Sequence, residues 1–121
     1  MHISPHPKGA ALENALWQTA LETAGSVQFS TACEQSLRGW IAIGIQRMER
    51  QQRMAADDLA LAHTNLRKFV DLLKKEAIFQ GKPNRIDSET FRATRIRLRR
   101  RASMTTFTLW PFWPHNFVLA A

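Results

Sequence analysis

The sequence predicts an all-α protein with one small core, built from long amphipathic helices. The 121-residue chain has no proline from Ala10 to Gln80, and this stretch is rich in Ala, Leu, Gln, Glu, Arg and Met, which favour helix. Only five glycines are available for turns, and hydrophobic residues make up 45% of the chain, which is enough for one core. We therefore expect few, long helices arranged as a helical hairpin or a coiled coil.

The N-terminal two thirds of the chain is predicted to form two helices. Residues 1–9 contain two prolines and read as a short, flexible leader. Gly25, followed by Ser26 and a β-branched valine, is the best internal breaker. We therefore expect a first helix over 10–24 and a second over 27–80, which together make an amphipathic helical domain of residues 10–80. A helix as long as the second must bend back on itself or pack along its whole length.

The C-terminal third is predicted to contain a break, a basic helix and a tail. Gly81 and Pro83 are typical of a helix end, so residues 81–87 form the break. A candidate N-cap and an acidic residue then start a third helix over 88–102. Residues 103–121 are rich in aromatic side chains and contain two prolines, which predicts an irregular tail.

Apolar side chains in the second predicted helix recur every three or four residues and therefore lie on one stripe. In one interpretation the stripe faces a core, as in any amphipathic helix. In the other it is exposed, and it then covers an external apolar surface or mediates coiled-coil self-association into a homo-oligomer. The stripe consists of Leu37, Ile41, Met48, Leu59, Leu66, Phe69 and Leu73.

Positive charge is concentrated near the C-terminus. Residues 1–81 carry nine basic and eight acidic side chains, whereas residues 82–121 carry eight basic and two acidic ones. Clustered guanidinium groups bind phosphates through charge-assisted hydrogen bonds, so the third helix is a candidate polyanion-binding element. The alternative is a solvated helix that serves solubility. Helical spacing places Arg92, Arg95 and Arg99 on one face and Arg97 and Arg101 on another, and Arg100 completes the run.

The aromatic tail is a candidate anchor. Indole and phenyl rings in such a segment suit three roles: folding back on the helices, docking into a partner, or shallow insertion at an interface. A cationic segment next to an apolar anchor is the two-signal arrangement that surface binding requires. The anchor residues are Trp110, Phe112, Trp113 and Phe117.

The sequence predicts no enzyme. It contains no phosphate-binding glycine loop, no nucleophile elbow and no paired cysteines, so no catalytic, cofactor or metal site is expected. The single Cys33 is expected to be a small packed hydrophobe, and His63 is expected to flank the stripe. The apolar clusters are too short to cross a bilayer, and the first residues lack the pattern of a secretory signal, which favours a cytoplasmic protein without an integral membrane segment.

Three stretches of the N-terminal region resemble the phasins in composition and spacing. They are Ala11–Glu22, Cys33–Trp40 and Gln46–Ala55, which combine Ala- and Gln-rich amphipathic sequence with spaced tryptophans. The resemblance covers about residues 11–80. It implies a bacterial protein that coats polyhydroxyalkanoate granules, with a basic C-terminal segment that touches the nucleoid. The proline-containing aromatic tail departs from the phasin pattern.

The functional expectation is a non-enzymatic protein that adheres to an apolar or anionic surface such as a polyester storage granule. In this mechanism the stripe covers apolar area while the arginines attract the surface electrostatically. One alternative is a small nucleic-acid-binding protein that uses the Arg92–Arg101 helix. Another is a dimeric assembly or regulatory adaptor. Within the cytoplasm, a surface-coating protein would be associated with granules, and a nucleic-acid-binding protein would be associated with the nucleoid.

Overall fold

The computed structural model describes the backbone of residues 7–104 and the side chains of residues 10–100. Over this range the protein is mainly α-helical, which confirms the predicted class, and it adds one short two-stranded parallel sheet. The first and last helices match their predicted positions to within a few residues. The elements are α1 (Pro7–Ala24), β1 (Gln28–Phe29), α2 (Thr31–Arg50), α3 (Ala56–Phe79), β2 (Arg85–Ile86) and α4 (Ser88–Met104).

The prediction of one continuous helix over 27–80 is wrong. The strand β1 occupies its start, and the chain turns between α2 and α3 at Gln52, which has a left-handed φ of 56°. The amide of Arg53 donates to the carbonyl oxygen of Met48 at 2.8 Å and that of Gln52 to Glu49 at 3.1 Å, which is the Schellman pattern of a helix end. Glycine or asparagine usually takes this position, so a glutamine there gives no sequence signal.

The four helices form two helix–strand–helix units of the same design: α1–β1–α2 and α3–β2–α4. In each unit a glycine with positive φ follows the first helix, at 62° for Gly25 and 77° for Gly81. A two-residue strand comes next, and then an N-cap residue opens the second helix. The two strands pair in parallel, Gln28 opposite Arg85 and Phe29 opposite Ile86, so that equivalent residues are 57 positions apart.

The same offset relates the interiors of the two units. Several buried residues in α1 have buried counterparts in α3, and several in α2 have buried counterparts in α4. The helices pack accordingly: α1 contacts both α2 and α3, while α4 contacts both α3 and α2. Among the buried pairs at this spacing are Leu12 with Phe69, Leu16 with Leu73, Ala20 with Ala77, Cys33 with Thr90, and Ile41 with Leu98.

The predicted stripe lies inside this core. Six of its seven side chains are fully buried, and Leu59 is partly buried against them. The stripe therefore faces a core, and the expectation that it is exposed is wrong. The physical reason is the break at Gln52, because two shorter helices can bury their apolar faces against α1 and α4 within one chain.

An aromatic cluster joins the three helices α2, α3 and α4. Phe69 of α3 meets the ring of Trp40 of α2 edge-to-face, with centroids 4.8 Å apart, and the ring of Phe91 of α4 at 5.8 Å. Trp40 and Phe91 are themselves 5.7 Å apart, again edge-to-face. Such pairs stabilise beyond their buried area, so this cluster fixes α4 against the other helices.

Candidate polyanion-binding surface

The N-terminus of α4 is held by Asp87. Its Oδ1 accepts a hydrogen bond from the Thr90 amide at 2.9 Å, and its Oδ2 accepts one from the Lys82 ammonium at 2.9 Å. The hydrogen bond from the Thr90 amide, followed by the one from Lys82, lowers the pKa of Asp87 to about 2. Lys82 also donates to Glu89 at 3.0 Å, and hydrogen bonds to Asp87 and then Glu89 raise the pKa of Lys82. These contacts fix where the basic helix begins.

One side of α4 enters the core and the other carries the arginines. Thr90, Phe91, Thr94 and Leu98 are buried, and their spacing makes them the inner face. The arginines at 92, 97, 99 and 100 are exposed, and Arg95 is half-buried. We call Arg92, Arg95 and Arg99, which lie three and four residues apart, the arginine face. The side chain of Arg101 and the tail residues Trp110, Phe112, Trp113 and Phe117 lie outside the described residues.

Arg95 of the arginine face packs against two aromatic rings. Its guanidinium carbon lies 5.6 Å from the ring centroid of Trp40 and 5.5 Å from that of Phe91. Both distances are within the range of cation–π attraction. Burial, followed by the like charge of Arg99, lowers the pKa of Arg95 from its ordinary high value. The side chain is therefore held at the α2 edge of α4, close enough to Arg99 for their charges to interact.

Arg97 belongs to a different surface. Its Nε lies 2.8 Å from Oε1 of Glu76, a buried carboxylate on α3 whose Oε2 also accepts a hydrogen bond from Gln80 at 3.0 Å. The guanidinium carbon of Arg97 lies 5.3 Å from the ring centroid of Phe79. The charge of Arg97 is thus compensated by Glu76. The arginine run is therefore divided between two sides of α4, as the helical spacing of Arg97 relative to the arginine face predicts.

A groove lies between α3 and α4 on the side of Arg97. Its volume is about 260 Å³, and Phe79 at its edge is 77% exposed although it is a large apolar side chain. Sequence reasoning did not single out Phe79. The available signal was the consecutive pair Ile78–Phe79, because neighbouring helical residues point about 100° apart and cannot both face one core. The groove is lined by Leu72, Lys75, Glu76, Phe79, Thr94, Arg97 and Leu98.

Cys33 belongs to the buried core, and His63 contacts α1. Cys33 is fully buried, and burial, followed by the charge of Asp87, raises the pKa of its thiol to about 12, which confirms a packed cysteine. Nδ1 of His63 lies 2.7 Å from the hydroxyl oxygen of Thr19 on α1. Burial, followed by the charge of Arg67, lowers the pKa of His63.

Metal-binding clusters and membrane-spanning helices are both absent from the described residues. Within this range, no group of three or more His, Cys, Asp or Glu side chains is arranged to hold a metal ion. Over the same part of the chain, no helix combines the length and apolar character that crossing a membrane requires. His2, His6 and His115 fall outside that part.

Comparison of the chain with protein-family models, with curated proteins and with solved structures finds no match. The resemblance to phasins therefore rests on composition and helical spacing alone.

Proposed function

We propose that this protein is a non-enzymatic nucleic-acid-binding protein whose helix α4 contacts the phosphate backbone. The observation that carries the proposal is the arginine face, where Arg92, Arg95 and Arg99 follow one side of a helix whose opposite side is buried. Guanidinium groups form bidentate, charge-assisted hydrogen bonds with phosphate oxygens. Arg100, also exposed, adds positive charge to the same helix.

The packing of Arg95 supports a binding role over a merely solvated helix. A free arginine side chain loses rotamer entropy when it binds a ligand. The contacts of Arg95 with Trp40 and Phe91 hold this side chain before any ligand arrives. The aromatic cluster in turn fixes α4 against α2 and α3, so the spacing of the arginine face is set by the core.

The position of the stripe favours nucleic-acid binding over the coating of a storage granule or dimerisation through the stripe. Both of those functions need Leu37, Ile41, Leu66 and the rest of the stripe at a surface. These side chains are buried within a single chain, so exposing them would require the core to open. Phosphate binding by α4 needs no such rearrangement. Limited proteolysis without any added surface tests this point: we expect the stripe to be protected.

The salt dependence of DNA binding tests the proposal. Fluorescence anisotropy with a labelled DNA duplex, measured from low to high NaCl, gives the slope of log K against log salt. Each neutralised phosphate contributes about −0.9 to this slope on duplex DNA. The double variant Arg92→Gln/Arg99→Gln should therefore flatten the slope by about 1.8 and weaken binding at low salt.

Two matched controls separate local contacts from overall charge. Arg50→Gln/Arg67→Gln removes the same two charges from exposed positions on α2 and α3, and it should change the slope much less. Arg97→Gln should also have a smaller effect, because Glu76 already compensates that charge. Equal slopes for the two double variants, or no binding by the unaltered protein, would contradict the proposal.

A further inference from the structure

We infer that the groove between α3 and α4 binds an unpaired nucleobase on the ring of Phe79, so that the preferred ligand is single-stranded nucleic acid. This inference rests on the proposed function and adds to it a second site on the other side of α4. With this second site the protein would bind exposed bases as well as phosphates.

Phe79 has the exposure and the neighbours of a stacking platform. Its side chain is 77% exposed at the end of α3, and the Arg97 guanidinium carbon lies 5.3 Å from its ring centroid. Proteins that bind single strands combine aromatic rings, on which bases stack, with arginines and a positively charged groove. Here the ring, the guanidinium group and Lys75 line the same groove.

The groove is small, and its one carboxylate is compensated by neighbouring side chains. Its volume of about 260 Å³ lies below the roughly 300–1,000 Å³ of pockets for drug-sized ligands. A planar base fits this description better than a whole dinucleotide. The buried carboxylate of Glu76 does not repel a polyanion strongly, because Arg97 and Gln80 both contact it, at 2.8 and 3.0 Å. Leu72 and Leu98 supply apolar lining.

One strand can reach both sites. The arginine face and the groove lie on opposite flanks of α4, as shown by Arg95 contacting α2 and Arg97 contacting α3. A helix with its side chains is about 10–12 Å across, a distance that a few nucleotides of a flexible strand can cover. A duplex cannot use the groove, because its bases are stacked and paired inside the helix. The geometry therefore favours single strands.

The test measures single-stranded binding by the full-length protein with Phe79 replaced. Anisotropy is recorded with a labelled single-stranded oligonucleotide, with the duplex of the same sequence, and with an abasic strand of equal length and charge. Phe79→Ala should weaken binding to the single strand about tenfold. The same variant should bind the duplex and the abasic strand as the unaltered protein does. Phe79→Trp, which keeps an aromatic ring, should bind the single strand as the unaltered protein does.

A neighbouring apolar residue provides the matched control. Ile78 is 63% exposed and is not part of the groove lining, so Ile78→Ala removes a similar exposed side chain and should leave all three affinities unchanged. Thermal unfolding of each variant checks that the fold persists, which the exposure of both side chains leads us to expect.

The outcomes separate this inference from the function on which it rests. If Phe79→Ala binds the single strand normally, or loses affinity equally for single strand, duplex and abasic strand, the base site is overturned while phosphate binding by α4 stands. If the unaltered protein binds neither DNA, both proposals fail. If Trp110→Ala/Trp113→Ala, rather than Phe79→Ala, removes the single-strand preference, the base stacks on the aromatic tail and the groove site is overturned.

Discussion

The unit α1–β1–α2 carries four basic and four acidic side chains, whereas the unit α3–β2–α4 carries twelve basic and six acidic ones. Both have the same order of helix, glycine, strand, cap and helix, and several of their buried positions correspond at the spacing set by the paired strands. The shared plan lies in the interior, where packing restricts what each position can hold. The difference lies on the surface, where charge is free to vary. The fold and the charged surface are therefore largely separable in this protein.

The connection between strand and helix is more polar in α3–β2–α4 than in α1–β1–α2. The N-cap in the second unit is Asp87, bound by Lys82, where the first unit has the neutral Ser30, whose hydroxyl accepts from the Cys33 amide at 3.1 Å. Thr90 donates to Gln80 or to Asp87, at 2.9 and 3.0 Å, at the position where the first unit has the buried thiol of Cys33. Among the contacts described, more side-chain hydrogen bonds therefore stabilise the start of α4 than the start of α2.

The largest expected effect comes from the core. Phe69→Ala removes the centre of the aromatic cluster and should lower the free energy of unfolding by about 3–5 kcal/mol. The equivalent residue in the first unit, Leu12, is at the edge of the core with 8% exposure, so Leu12→Ala should cost about 2 kcal/mol. Urea unfolding measures both. Equal losses would show that the aromatic cluster is no more important than the rest of the core.

The next effect compares the two caps. Asp87→Ala removes the acceptor of the Thr90 amide and of Lys82 and should destabilise by about 1–2 kcal/mol. Ser30→Ala should cost about 1 kcal/mol, because its hydroxyl accepts only the Cys33 amide among the contacts described. Urea unfolding at neutral pH gives both values, and the reverse order would contradict the greater role assigned to the second cap.

The pH dependence of stability sharpens the comparison of caps. The folded pKa of Asp87, about 2, lies below its ordinary value of 3.8. The charged form is therefore favoured by folding, and its contribution is fully present above about pH 4 and is lost as the pH falls through the folded pKa. The Asp87→Asn variant keeps a side-chain oxygen that can cap the helix but lacks the charge. We expect the stability gap between the unaltered protein and this variant to shrink from pH 5 to pH 2, in urea unfolding curves at each pH.

The smallest effects come from glycines. Gly25→Ala and Gly81→Ala place a side chain at φ of 62° and 77° and should each cost about 1 kcal/mol. Gly39 lies within α2, is exposed, and has no atom within 4 Å of an added Cβ. Gly39→Ala should therefore stabilise by about 0.5–1 kcal/mol. Thermal unfolding distinguishes the signs, and a stabilising Gly25→Ala or Gly81→Ala would refute the role of these residues as left-handed helix ends.

Local chemistry made parts of this structure predictable from sequence. Gly25 marked the end of α1, Gly81 and Pro83 the end of α3, and the acidic start at Asp87 the beginning of α4. The spacing of the stripe correctly identified residues that share a face within α2 and within α3, although it assigned all of them to one helix. The exposed arginines of α4 were also visible, because a run of charges cannot be buried at acceptable cost. Each of these features depends on residues close together in the chain.

Sequence by itself thus determined the helical class, most helix ends and the concentration of charge in the second unit. Tertiary structure alone decided the turn at Gln52, because burying the apolar faces of both α2 and α3 requires the chain to turn there, with a glutamine in a backbone conformation that its local preference disfavours. It also decided that the stripe is internal and which side chains the arginines on each flank of α4 contact. Those outcomes depend on partners far along the chain, such as Glu76 for Arg97 and Trp40 for Arg95, and no local pattern encodes such pairs.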